Sequence, residues 1–153
     1  MDDSEQIRKL LVALFSKHGH HCETAQDGLE ALDKIEQNNY DAVITDVELP
    51  KMDGILLTKA ALKRNPCLPI MVMTGFTREH KIGTAMAIGA RDFIKKPFSS
   101  LEEVILRFKV MMRGQETRMK LWENKEMNRL GLIDTSQQKK ERLELQVEGF
   151  WGG

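Results

Sequence analysis

The run Ala42-Val43-Ile44-Thr45, closed by Asp46 and followed by Pro50, Asp53 and Gly54, limits most strongly what this chain can fold into. Apolar and β-branched residues without alternation suit a strand buried on both faces, as in a parallel sheet. Pro50, Asp53 and Gly54 then supply turn chemistry. A second such run, Pro69-Ile-Met-Val-Met73, ends in Thr74-Gly75. Sheets of this kind need helices on both faces and right-handed crossovers between neighbouring strands. A carboxylate at the end of a buried strand emerges where open α/β sheets bind ligands. Asp46 is therefore the candidate reactive residue, against the plainer role of an aspartate that starts a loop or caps a helix.

The rest of the chain supplies the alternating elements. Ile7, Leu10, Leu11, Leu14 and Phe15 recur at helical spacing up to Gly19, with Asp3 and Gln6 placed as a capping pair. His20 to Ala25 reads as a short strand, and Asp27-Gly28 opens a helix that Asn38-Asn39 closes. A helix over Ile55 to Arg64 follows, stopping before Pro66, and a poorer one over Thr77 to Ile88, interrupted by Gly83 and Thr84. Ala90 to Phe98 gives another strand, with Lys96 held before Pro97. Ser99 and Ser100, each three residues before a glutamate, open a last helix carrying Leu101, Val104, Ile105, Phe108 and Met112.

Composition narrows the partners. The 153 residues carry 23 Lys and Arg against 23 Asp and Glu, so no net field draws the chain to nucleic acid or to an anionic membrane. Direct nucleic-acid binding is not expected, and no stretch is apolar for long enough to span a bilayer. The acidic start is unlike a signal peptide, and Cys22 and Cys67 read as small core residues in a reducing compartment, so a cytoplasmic location is expected. His18, His20, His21 and Cys22 resemble a metal cluster only on paper, since adjacent side chains of a strand point to opposite faces.

Under the expected topology Asp46, Thr74 and Lys96 stand at three strand ends on one sheet edge, and Asp2-Asp3 precedes the first helix where another strand end belongs. Carboxylates, a hydroxyl and an ammonium converging there suit a hard divalent cation and a phosphoryl group.

These residues resemble the receiver domain of bacterial two-component response regulators. The resemblance rests on Asp2-Asp3, the Asp46-x-x-x-Pro50-x-x-Asp53-Gly54 turn, Thr74-Gly75 and Lys96-Pro97-Phe98, in family order and spacing over roughly residues 2–113. It implies a flavodoxin-like doubly wound sheet with strand order 2-1-3-4-5 over residues 1–113. Residues 114–153 read as a C-terminal extension, helical or partly disordered, with Met119 and Trp122 continuing the helical spacing. Asp46 would accept a phosphoryl group from a sensor histidine kinase or phosphotransfer protein. Asp3 would bind Mg2+ directly and Asp2 through water, with Asp46 and the Glu48 carbonyl completing the protein's share of the shell. Thr74 and Lys96 would hold the phosphoryl oxygens, Phe93 would be the aromatic switch, and Glu48 and Phe76 would tune the lifetime of the phosphoryl state. The output would be contact with a downstream protein target, with a homodimer through the tail among the expectations.

One departure stands out. Family members have a buried apolar strand before the acidic pair, and here only Met1 fits its last position, so the first strand is expected to be missing or truncated. Leu143-Glu-Leu145-Gln-Val147 alternates as a strand does and is a local candidate to replace it. Two alternatives follow from the gap: a pseudo-receiver that keeps the fold without phosphoryl chemistry, and a fragment of a larger response regulator. A haloacid-dehalogenase-like phosphatase also uses a strand-end aspartate. That reading expects an aspartate and a threonine where Glu48 and Pro50 stand.

Overall fold

The computed structural model describes residues 1–75, 78 and 80–131. Helices α1 (Glu5–Lys17) and α2 (Gly28–Gln37) come first, and strands β1 (Val43–Asp46), β2 (Ile70–Gly75) and β3 (Asp92–Lys96) then alternate with helices α3 (Gly54–Arg64), α4 (His80–Ile88) and α5 (Leu101–Met112). The strands form one parallel sheet in the order β1-β2-β3. Val43 pairs with Ile70 and Asp46 with Met73, while Thr74 pairs with Lys95 and Gly75 with Lys96.

Strand alternation explains why β2 is apolar throughout. Ile70 and Val72 face a core shared with Ala31, Ile35, Leu57, Ala61 and Ala85 of α2, α3 and α4. Met71 and Met73 face the opposite core, with Leu11 and Phe15 of α1 and Val104, Ile105, Phe108 and Met111 of α5. The Phe15 and Phe108 rings meet edge to face at 4.8 Å between centroids and fasten α1 to α5. The fold is thus the flavodoxin-like α/β class that the sequence implies.

The caps follow local chemistry, with one correction. Asp27, Asp53 and Ser100 cap α2, α3 and α5 through side chains that accept backbone amides. For α1 the cap is Ser4 rather than Asp3. The Ser4 hydroxyl accepts the Ile7 amide at 3.4 Å, and the Ser4 amide is itself held by Asp2 Oδ1 at 2.8 Å, which leaves Asp3 outside the first turn.

His20 to Ala25 forms no ladder, contrary to the strand expected there. Among the described residues, Met1-Asp2 is what lies between it and β1. The Met1 amine donates to the Ile44 carbonyl at 2.7 Å and the Asp46 amide to the Met1 carbonyl at 2.9 Å. On the other side the Asp2 amide reaches the Ala25 carbonyl at 3.3 Å. Two residues join β1 to Ala25, too few for a ladder along His20 to Ala25. The candidate replacement strand, Leu143 to Val147, lies outside the described residues.

Residues 1–115 form one compact unit and a second begins at Glu116. The extension is helical as far as described: α6 (Gln115–Arg129) has no buried residue and ends near Gly131, whose φ is +70°. No described helix is long and apolar enough to cross a membrane.

Candidate functional site

The loop after β1 is tied down from both sides. Val47 donates to the Met73 carbonyl at 2.8 Å, one step past the strand, and the Gly54 amide returns to the Val47 carbonyl at 2.8 Å. From α2, the Gly28 amide holds the Pro50 carbonyl at 3.1 Å. Lys51, at the turn, takes a φ of +65° and places its ammonium 3.0 Å from Asp27 Oδ2. Asp53 both caps α3, accepting the Ile55 amide at 2.7 Å, and pairs with Lys81 at 3.2 Å. Asp46 therefore ends its strand against a fixed frame.

Three charged side chains meet there. The Lys96 ammonium donates to Asp46 Oδ2 and, at 2.9 Å, to Asp2 Oδ2. Asp46 Oδ1 accepts the Glu48 amide at 2.9 Å. Asp2 and Asp46 are buried, and Asp3 is exposed beside them. Oxygens of all three aspartates lie within 4.8 Å of one another. Arg8 of α1 braces the acidic pair from outside, donating to the Asp2 and Asp3 carbonyls at 2.8 and 3.0 Å.

Burial pushes the Asp46 carboxyl above the usual aspartate range, although Lys96 and the Glu48 amide pull the other way. Burial acts on Asp2 too. There Lys96 and the Ser4 amide together outweigh it and hold the carboxyl low. Burial would also lower Lys96, but its bonds to Asp46 and Asp2 keep the ammonium above the ordinary lysine range. The Met1 amine, buried beside this cluster, falls to about 6. Lys96 pairs with two of the three clustered carboxylates and Asp3 stands exposed beside them, an oxygen-donor set whose charge and donor type suit a hard divalent cation.

The sequence-predicted residues divide clearly. Asp2, Asp3, Asp46 and Lys96 come together, and Lys96 is not the free surface lysine its sequence position would also allow. Thr74 is buried at the end of β2, its hydroxyl 3.3 Å from the Gly75 carbonyl, one residue past the partner of Asp46. Glu48 holds Asp46 through its amide, and its carboxylate pairs with Arg78. Phe93 is the second residue of β3, half-buried, with the Arg107 guanidinium over its ring. Phe76 lies outside the described residues. Arg8 and Arg107 escaped the sequence reading, since each is one basic residue on a charged helix face and only tertiary placement gives it a partner.

A parallel sheet with helices on both faces and a buried carboxylate cluster at its carboxyl edge defines a doubly wound α/β protein whose site is acidic. The chain belongs to the response regulator receiver domain family, whose model matches residues 1–108. It is 36% identical over 113 residues to response regulator MprA of Mycobacterium sp. strain KMS, covering 74% of this chain and 49% of MprA. The chain thus spans about half the length of the curated relatives it matches. Among solved structures, NtrX from Brucella abortus aligns with a TM-score of 0.73 and 30% identity over 78% of this chain and 27% of NtrX. The receiver domain of the Francisella response regulator 1452 aligns at 0.66 and 31% identity over 73% of this chain and 92% of its own.

Proposed function

We propose that this chain is a phosphoacceptor that takes a phosphoryl group on Asp46 and passes the signal on by a change of conformation. The observation that carries the proposal is Lys96 lodged between Asp46 and Asp2 at the carboxyl edge of the sheet. Asp46 is the nucleophile. One of its oxygens forms a bond to phosphorus as the P–N bond of a donor phosphohistidine breaks, and the electron pair stays on the imidazole nitrogen, which ends protonated. The product is an aspartyl phosphate. Hydrolysis reverses the gain: water attacks phosphorus, the O–P bond breaks and inorganic phosphate leaves.

Positioning and charge neutralisation dominate phosphoryl transfer. The Glu48 amide and Lys96 orient the acceptor carboxylate. Lys96 and the Thr74 hydroxyl then hold the phosphoryl oxygens. Asp2, Asp3, Asp46 and the Glu48 carbonyl would hold Mg2+, which supplies charge neutralisation for the incoming oxygens. Phe93 follows Thr74 as the switch, and the resulting shift in population exposes a different face to a protein target. The donor is a sensor histidine kinase or phosphotransfer protein, and residues 1–113 act as the receiver with 114–153 as an extension. Glu48 and Phe76 set the lifetime of the phosphoryl group.

The alternative is an interaction module of the same fold without phosphoryl chemistry. It draws on the segment from His20 to Ala25, which forms no ladder with the sheet among the described residues. Intact-mass measurement after incubation with acetyl phosphate or phosphoramidate separates the two. Addition of one phosphoryl group with Mg2+, and none with chelator or in Asp46→Asn, is the expected result. An unmodified chain that is folded by circular dichroism would reject the phosphoacceptor reading.

A further inference from the structure

Arg107 of α5 reaches back to the start of β3 and meets three groups there. Its Cζ stands 5.6 Å from the centroid of the Phe93 ring. Its Nη1 donates to Asp92 Oδ1 at 3.1 Å and its Nε to Glu103 Oε1 at 3.0 Å. Both carboxylates are themselves held: Asp92 Oδ1 accepts the Phe93 amide at 2.8 Å, and Glu103 Oε2 accepts the Ser99 hydroxyl at 2.8 Å. The guanidinium is thus fixed from two sides, and those anchors set it over the ring. Phe93 is only half-buried, packed against the α2-α3-α4 core, and Arg107 covers it from the α5 side. A cation over an aromatic face is attracted by the ring quadrupole, and the attraction is lost when the ring swings away.

We infer that Arg107 is a positioning residue for the switch, holding Phe93 in the position it takes without a phosphoryl group. The inference rests on the reading of Phe93 as the switch. Its consequence is thermodynamic: the contact exists in one of two conformations and therefore biases the chain toward that one. A ligand that favours the other conformation must break it. The two ion pairs orient the guanidinium, and the ring contact carries the bias.

Beryllofluoride with Mg2+ serves as the phosphoryl mimic, and its affinity is read by calorimetry on the full chain. Removing the cation in Arg107→Gln is expected to tighten beryllofluoride binding about twofold to fivefold, while Arg107→Lys, which keeps a positive charge, stays nearer the parent. In a Phe93→Leu background the same Arg107→Gln change is expected to have no effect, because the ring is gone. A 4-fluorophenylalanine label reports the ring directly, with the Phe93 resonance assigned by its loss in Phe93→Leu. An unchanged or weaker affinity in Arg107→Gln overturns the inference, as does an equal gain in the Phe93→Leu background. If the parent chain binds no beryllofluoride at all, the phosphoacceptor reading fails and takes this inference with it.

Discussion

A Cβ on Gly54 would stand 1.9 Å from the carbonyl oxygen of Asp46. The obstacle is backbone, so no side chain can turn aside to relieve it. Gly54→Ala is expected to displace the acceptor loop and to cost about 2 kcal/mol or more in urea denaturation. Gly83→Ala is the control, since a Cβ there meets nothing within 4 Å and the helix gains propensity. That variant should be as stable as the parent or slightly more so. Equal destabilisation by both would contradict the close approach at Gly54.

Lys96 neutralises two buried carboxylates, so its removal should show first as instability without divalent cations. Lys96→Met leaves Asp2 and Asp46 facing each other, and in chelator the loss is expected to be about 3 kcal/mol. Mg2+ should then raise the melting temperature of the variant more than that of the parent, because no ammonium competes for the site. Equal Mg2+ responses would show that Lys96 does not stand in for the cation.

The cap of α2 carries a pH dependence. The Glu30 amide bond and the Lys51 ammonium hold the Asp27 carboxyl below the usual aspartate range. A carboxylate depressed on folding contributes stability above its unfolded pKa and loses it as pH falls through the folded value. Asn caps a helix as well as Asp but cannot ionise. Thermal melts of Asp27→Asn should therefore fall below the parent at neutral pH and converge with it in acid. A gap that persists unchanged in acid would remove the charge from the explanation.

Lys51 sits at φ +65°, a conformation that only glycine adopts without strain. The comparison that isolates this strain is Lys51→Gly against Lys51→Ala, since both lose the ion pair with Asp27. The glycine variant should be the more stable by about 1 kcal/mol. The reverse order would mean that the turn relaxes when the lysine is absent.

Much of the fold could be read from continuous apolar runs. Val43 to Asp46 and Ile70 to Gly75 form strands because both faces of each are buried, and the sequence shows this directly. The three strand ends follow from that reading, so Asp46, Thr74 and Lys96 fall on one edge. His20 to Ala25 failed as a strand because pairing depends on a neighbour outside the segment, and among the described residues the Asp2 amide alone reaches it from the sheet side, at the Ala25 carbonyl. The burial of Asp2 beside an exposed Asp3 was equally hidden, since it follows from bonds to Ser4, Arg8 and Lys96. Arg107 shows the same limit: its partner at Phe93 exists only once α5 packs on β3.

The most direct measurement maps the modified residue itself. After phosphorylation with acetyl phosphate and Mg2+, borohydride reduces an aspartyl phosphate to homoserine, which survives proteolysis and peptide mass mapping. The prediction is homoserine at position 46 alone, with none when Mg2+ is chelated. Homoserine at another aspartate, or no conversion in a chain that melts cooperatively, would contradict the assignment of Asp46 as the phosphoacceptor.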